Sequence, residues 1–170
     1  MGALTEDLII ALKNEKAVST ILPFQTKTIE ELKKYIEEQK IRLKSEYQSL
    51  ERTIKVICEL ELERVGFFLA DYFRIRLKKI CKNFGVKIEF LNEKEIEFKK
   101  KYEEICKKRD VFIENPTDKD EEEFVGFIAL SDLGHIKIEN YEVLIETGDF
   151  FVCRFFEIKE FVFSGEIELF

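Results

Sequence analysis

The chain has 170 residues, of which 45% are hydrophobic and 37% charged, with 17 Phe and no Trp; this composition folds rather than staying disordered, and the length suits one ordinary domain or two small ones. A net charge of -7 argues against general binding to nucleic-acid phosphates, which needs clustered Lys and Arg. No apolar run approaches membrane-spanning length and no basic-then-apolar signal opens the chain, so an intracellular protein with no membrane contact is expected.

Leu4 to Asn14 is expected to form a short amphipathic helix, with Thr5-Glu-Asp as cap and acidic first turn and Leu8, Ile9 and Leu12 on one side. Eleven residues make a marginal helix without a partner. Either Leu8 and Leu12 pack back on the chain's own bundle, or the segment docks as a helix in another protein's groove. Pro23 then sets a turn, and Thr26 opens a long helix with Ile29, Leu32, Ile36, Leu43 and Leu50 at the spacing of a packed stripe. No Gly or Pro marks the next turn, which is placed near Gln48 to Arg52, where Ser45 and Ser49 are the only soft cap signals.

Glu59 to Phe84 is the organising stretch. At about 100° per residue, Val65, Phe68, Leu69, Tyr72, Phe73, Ile75, Leu77, Ile80, Cys81 and Phe84 spread over most of a helix, which reads as the buried centre of a bundle. Arg64, Asp71, Arg74, Lys78 and Lys82 fill the remaining polar arc. Two residues break this pattern. Arg76 projects into the apolar arc and therefore needs a carboxylate or carbonyl partner, whereas Phe67 projects from the polar arc, by chance or toward another chain. The basic cluster from Arg74 to Lys82 reads as a solvated face, and a DNA track is the alternative.

Gly85 is a helix stop, and Asn92 with Glu95 gives a capping-box start for a helix to about Arg109. Glu114 to Glu123, with Pro116 and almost nothing apolar, reads as a solvated linker; its carboxylates match no calcium loop. Short strands follow at Phe124 to Leu130, His135 to Glu139, Glu142 to Glu146 and Phe150 to Phe155, with turns at Asp132-Leu-Gly134, Asn140 and Thr147-Gly-Asp149. A helix from Glu157 to Phe163 stops at Ser164-Gly165, and Glu166 to Phe170 alternates as a closing strand. Leu169 is expected to bury its side chain and to give its N–H to the sheet ladder. So small a strand region is expected to lean on something larger.

No catalytic pattern emerges. The glycines form neither GxGxxG nor GxxxxGK[ST], His135 has no nucleophile or base motif beside it, and the paired carboxylates lie on helix surfaces. Cys58, Cys81, Cys106 and Cys153 make no CxxC pair, so neither zinc nor a disulfide framework is expected. The chain reads as a non-enzyme without cofactor or metal.

Three stretches resemble the Sld-five family of GINS subunits, part of the eukaryotic replicative helicase. Ile21-Leu-Pro-Phe-Gln-Thr26 resembles the family's ILPYQ lead-in to its second helix. Glu63-Arg-Val65 with Asp71-Tyr-Phe-Arg-Ile-Arg-Leu-Lys-Lys-Ile80 resembles its ER(I/V), then YLRxRLxKI, signature. Tyr141 to Phe170 resembles its C-terminal end, including Gly148, Arg154, Ile158, Gly165 and Ile167-Glu-Leu169. The resemblance implies an α+β chain: an N-terminal arm (1–20), a helical A domain (21–113), an acidic linker (114–123) and a small β-rich B domain (124–170). It implies a nuclear structural subunit of a heterotetramer with three other GINS subunits, which joins the MCM ring and the Cdc-forty-five protein in the active helicase for DNA replication. Leu32, Ile36, Phe67, Phe68, Tyr72 and Arg76 would serve the A-domain core or subunit interface, and Gly148, Arg154, Gly165 and Leu169 the B domain. Thr5-Glu-Asp-Leu-Ile-Ile-Ala-Leu12 is similar to a motif that binds a Ctf-four type trimeric hub, with Asp7, Leu8, Ile9 and Leu12 as contacts; the leading-strand DNA polymerase is a further candidate partner. Direct nucleic-acid binding by the lone chain is not expected. The rival reading is a self-contained nucleic-acid binding module using Arg74, Arg76, Lys78, Lys79 and Lys82, and a homodimeric coiled coil is a third.

Overall fold

The computed structural model describes residues 2–46, 51–109, 123–139 and 141–170. The chain is α+β: among the described residues four α-helices, α1 (Gly2–Ala17), α2 (Thr26–Glu46), α3 (Arg52–Lys82) and α4 (Glu93–Lys108), precede a strand-rich region. That region holds β1 (Phe124–Ala129), β2 (Gly134–Ile138), β3 (Tyr141–Ile145), β4 (Phe150–Arg154), α5 (Phe155–Ser164) and β5 (Ile167–Leu169). It forms two antiparallel sheets, a three-stranded sheet in the order β4-β1-β5 and a β2-β3 hairpin. The linker expected at 114–123 lies outside the described residues except for Glu123, as do the turn at Asn140 and the residues 47–50 between α2 and α3.

Several helix boundaries differ from expectation. α1 begins at Gly2, so Thr5 is not its cap but lies buried inside the helix. With no breaker before Pro23, the helix also runs on to Ala17, and its 16 residues equal those of α4. α3 begins at Arg52, in keeping with the turn expected near Gln48 to Arg52, so the helix takes in the residues ahead of the organising stretch at Glu59, and its 31 residues span roughly 46 Å at 1.5 Å per residue. Gly85 does not end it by a left-handed cap. The stop is an Asx turn, in which the Gly85 N–H donates to Asn83 Oδ1 at 2.7 Å. The capping box of α4 is present as read: Glu95 N–H donates to Asn92 Oδ1 (2.9 Å) and Asn92 N–H to Glu95 Oε2 (3.0 Å).

By its contacts the chain divides into two units, Met1–Leu12 with Gln25–Arg74, and Lys13–Phe24 with Ile75–Phe170. In the first, α2 and the leading part of α3 form an antiparallel hairpin, since Gln25 N–H donates to Tyr72 Oη (3.5 Å) at one end while Leu43 and Glu46 face Ile54 and Ile57 at the other. α2 buries Ile29, Leu32 and Ile36 along one stripe.

In the second unit, alternation along β1 sends Val125, Phe127 and Ala129 inward. They join Ile136, Ile145, Cys153, Phe155, Ile158, Val162, Ile167 and Leu169 in a core that also takes Val18 and Leu22. The core of the strand region thus takes in the segment after α1. Two glycines hold turns closed to other residues without strain. Gly165, at φ 79°, caps α5 and lets Glu166 N–H reach the Phe161 carbonyl at 3.0 Å; Gly148, at φ 93°, donates to the Ala129 carbonyl at 2.8 Å. Burial pushes the Cys153 thiol up to about 12, which suppresses the reactive thiolate near neutral pH. In mass-resolved alkylation of the native protein, Cys153 should stay unmodified while the half-buried Cys58 reacts; equal rates would show that this core is open.

Candidate interaction surface

Among the described residues, the first half of α3 carries a conspicuous run of exposed apolar side chains. Ile54, Val56, Ile57, Leu60 and Phe67 leave between 45 and 62% of their surface in solvent. At 100° per residue, Val56, Leu60 and Phe67 lie within about 40° of one another on one line of the helix. Ile54 and Ile57 lie about 140° and 80° round the helix from that line, lining a groove of about 390 Å³ with Leu62, Tyr35 and Leu43, edged by Arg42, Glu46 and Glu61. Phe67 meets Phe68 edge to face, ring centroids 5.9 Å apart. Exposed single apolar residues are ordinary, whereas a row along one helix is the kind of apolar exposure that interaction sites carry. The expectation of a helix buried all round is therefore corrected for this chain by itself: on α3 Val65, Tyr72, Arg76 and Ile80 are fully buried, while Phe68, Leu69, Phe73, Ile75, Leu77 and Cys81 are half-buried.

Arg76 has the partners its position demanded, of both expected kinds. Its side chain is 0% exposed. Nε donates to Glu95 Oε1 (2.8 Å) and Nη2 to Glu95 Oε2 (3.1 Å) in a two-pronged pair, Nη1 donates to Glu15 Oε2 (3.1 Å), and the carbonyls of Leu22 and Phe90 accept at 2.7 Å each. The guanidinium also lies over the Phe24 ring, 5.3 Å from its centroid. Lys79 completes the cluster by donating to Glu15 Oε1 (2.9 Å) and to the carbonyls of Glu15 (2.5 Å) and Thr20 (2.7 Å). Burial lowers the Lys79 ammonium pKa, and Glu15 opposes that shift. The basic stretch is thus not a single solvated face: Arg76 and Lys79 are occupied inside the fold, and Arg74, Lys78 and Lys82 are the cations it exposes.

The remaining sequence-selected residues separate by environment. Leu8 and Leu12 are buried, Ile9 is half-buried and Asp7 is exposed, so the folded α1 does not present the four as one contact face. Leu32, Ile36 and Tyr72 are core. Arg154 stands over the Phe124 ring, 5.8 Å from its centroid, and Leu169 is buried. Sequence reasoning found Phe67 but missed Asn14, Glu15 and the exposed Ile54, Val56, Ile57 and Leu60; Glu95 had a local signal, and that was its capping role. Among the described residues no three His, Cys, Asp or Glu side chains are grouped to hold a metal ion, and no described helix is long and apolar enough to cross a membrane. No protein-family model matches the chain, and no curated protein matches it.

Proposed function

We propose that the chain is a structural subunit of a GINS-type heterotetramer, a non-enzyme that packs its helices against three sister chains and works in the nucleus within the replicative helicase, alongside the MCM ring and the Cdc-forty-five protein. The observation that carries this reading is the row Val56, Leu60 and Phe67 beside the groove at Ile54 and Ile57. Covering it would contribute about 1 kcal/mol per side chain at roughly 25 cal/mol per Å², a driving force the lone chain leaves unused. The resemblance of Ile21 to Thr26, Glu63 to Ile80 and Tyr141 to Phe170 to the Sld-five pattern names the assembly. Docking of Asp7, Leu8, Ile9 and Leu12 on a Ctf-four type hub would require Leu8 and Leu12 to leave the interior, so that partner calls for local unpacking of α1.

The test is the molar mass by light scattering of the chain co-expressed with three GINS-type subunits. A one-to-one-to-one-to-one complex is expected, and the double variant Leu60→Glu, Phe67→Glu should weaken it at least about tenfold while the lone chain's unfolding temperature stays put, both residues being exposed. A monomer that ignores the other three chains would overturn the assembly reading. Salt-sensitive DNA binding lost on Lys78→Glu, Lys82→Glu would instead favour the nucleic-acid module.

A further inference from the structure

The two edges of the three-stranded sheet are finished differently. In β5, residues 166, 168 and 170 turn their backbone groups toward β1, as Leu130 N–H to the Glu166 carbonyl (2.8 Å) and Phe170 N–H to the Gly126 carbonyl (2.9 Å) show. Ile167 and Leu169 therefore turn theirs outward, and the side chain of Asn14 takes both: Leu169 N–H donates to Asn14 Oδ1 at 2.7 Å and Asn14 Nδ2 donates to the Ile167 carbonyl at 3.3 Å. One buried amide thus imitates a neighbouring strand and closes that edge.

Among the described residues β4, at the other edge, has no such closure. The bonds Ala129 N–H to the Asp149 carbonyl (3.0 Å) and Phe155 N–H to the Glu123 carbonyl (2.8 Å) set the phase of its pairing with β1, so residues 151 and 153 face β1 and Phe150, Val152 and Arg154 turn their N–H groups outward. Among the described residues β4 has β1 as its sole neighbour in the sheet. Its side chains carry none of the usual deterrents to pairing, neither Pro nor Lys nor an inward charge. Phe150 and Val152 stand exposed on the outer face, the Phe150 ring lying over Gly126, where a Cβ would meet it at 3.1 Å. Arg154 is the strand's one charge; its partly exposed side chain lies 4.0 Å from Glu139, at the limit of an ion pair.

We propose that β4 is a docking edge for an extended segment of another protein, which adds a strand to the sheet, lays alternate apolar side chains beside Phe150 and Val152, and sets a carboxylate opposite Arg154. The backbone rung at Phe150 and Val152 supplies affinity without sequence preference, and Arg154 supplies the charge complementarity that selects an acidic position. This inference is independent of the helical assembly surface.

The experiment uses the full chain and two capped seven-residue peptides of alternating Val and Thr, one with a Glu at an end position and one with a Lys there. NMR amide exchange should show Phe150 and Val152 exchanging freely alone and slowing at least about tenfold with saturating Glu peptide, while Leu169, already bonded to Asn14, does not change. The Lys peptide should bind at least about fivefold more weakly, and Arg154→Glu should reverse that order. Val152→Pro, which removes an outward donor and leaves the β1 ladder intact, should abolish binding. Absence of saturable binding at about 1 mM peptide, or protection elsewhere, overturns the proposal. So does a mass that doubles with concentration and is restored to monomer by Val152→Pro, because the occupant would then be a second copy of this chain.

Discussion

Replacing Arg76 by Met is expected to cost about 3–5 kcal/mol of folding stability, a third or more of what a domain of this size commonly has. The methionine fills much of the arginine's volume, so the loss is not chiefly a cavity. It comes from what remains: carboxylates of Glu15 and Glu95 and carbonyls of Leu22 and Phe90, buried in positions set by donors that are gone. Lys79 would still serve Glu15, which leaves Glu95 the more exposed to the loss. Arg76→Lys should recover less than half, because one ammonium cannot hold both Glu95 oxygens while also reaching the carbonyls on the far side of the guanidinium. Urea unfolding of the two variants checks this. A double-mutant cycle with Glu95→Gln should give a coupling above about 1 kcal/mol; an Arg76→Met variant within 1 kcal/mol of wild type would show that the cluster is not formed as described.

The class of Arg76's partners was legible because burial of a charge admits few solutions. Their identity was not. Glu15 and Glu95 lie 61 and 19 residues away, and nothing local distinguishes them from the other carboxylates among 35 acidic residues. Features set within a few residues were readable: the Asn92–Glu95 capping box, the left-handed Gly165, and the alternation that sends Val125, Phe127 and Ala129 inward. Where no breaker stands, as before Glu59 or after Asn14, the helix ran further than its strongest pattern. That extension hid Ile54, Val56 and Ile57 from the interface reading, which rested on Phe67. Lys79 was assigned to solvent on charge alone, since periodicity cannot foresee that the chain from Glu15 to Thr20 offers its side chain three oxygens.

Leu169→Pro should be almost as damaging, at about 3–5 kcal/mol, although it lies one residue from the chain's last position. The reason differs from the one the strand pattern suggests. The Leu169 N–H is not part of the ladder to β1; it is the donor to Asn14 Oδ1. Proline removes that donor and leaves a buried amide oxygen without it, while its ring displaces a side chain packed in the core opposite Phe127. Asn14→Ala separates the two contributions. It strips the same edge of Leu169 N–H and the Ile167 carbonyl but leaves the leucine in place, and should cost about 1–3 kcal/mol. Asn14→Asp keeps the acceptor for Leu169 and loses the donor to Ile167, and a carboxylate set against that buried carbonyl should make it no better than alanine. Thermal unfolding monitored at Phe and Tyr orders the four proteins as wild type, Asn14→Ala, Asn14→Asp, Leu169→Pro. Wild-type stability in the proline variant would mean that β5 does not close this sheet, whereas an Asn14→Ala variant as damaged as the proline one would place the whole effect in the amide clamp and none in the packing of Leu169.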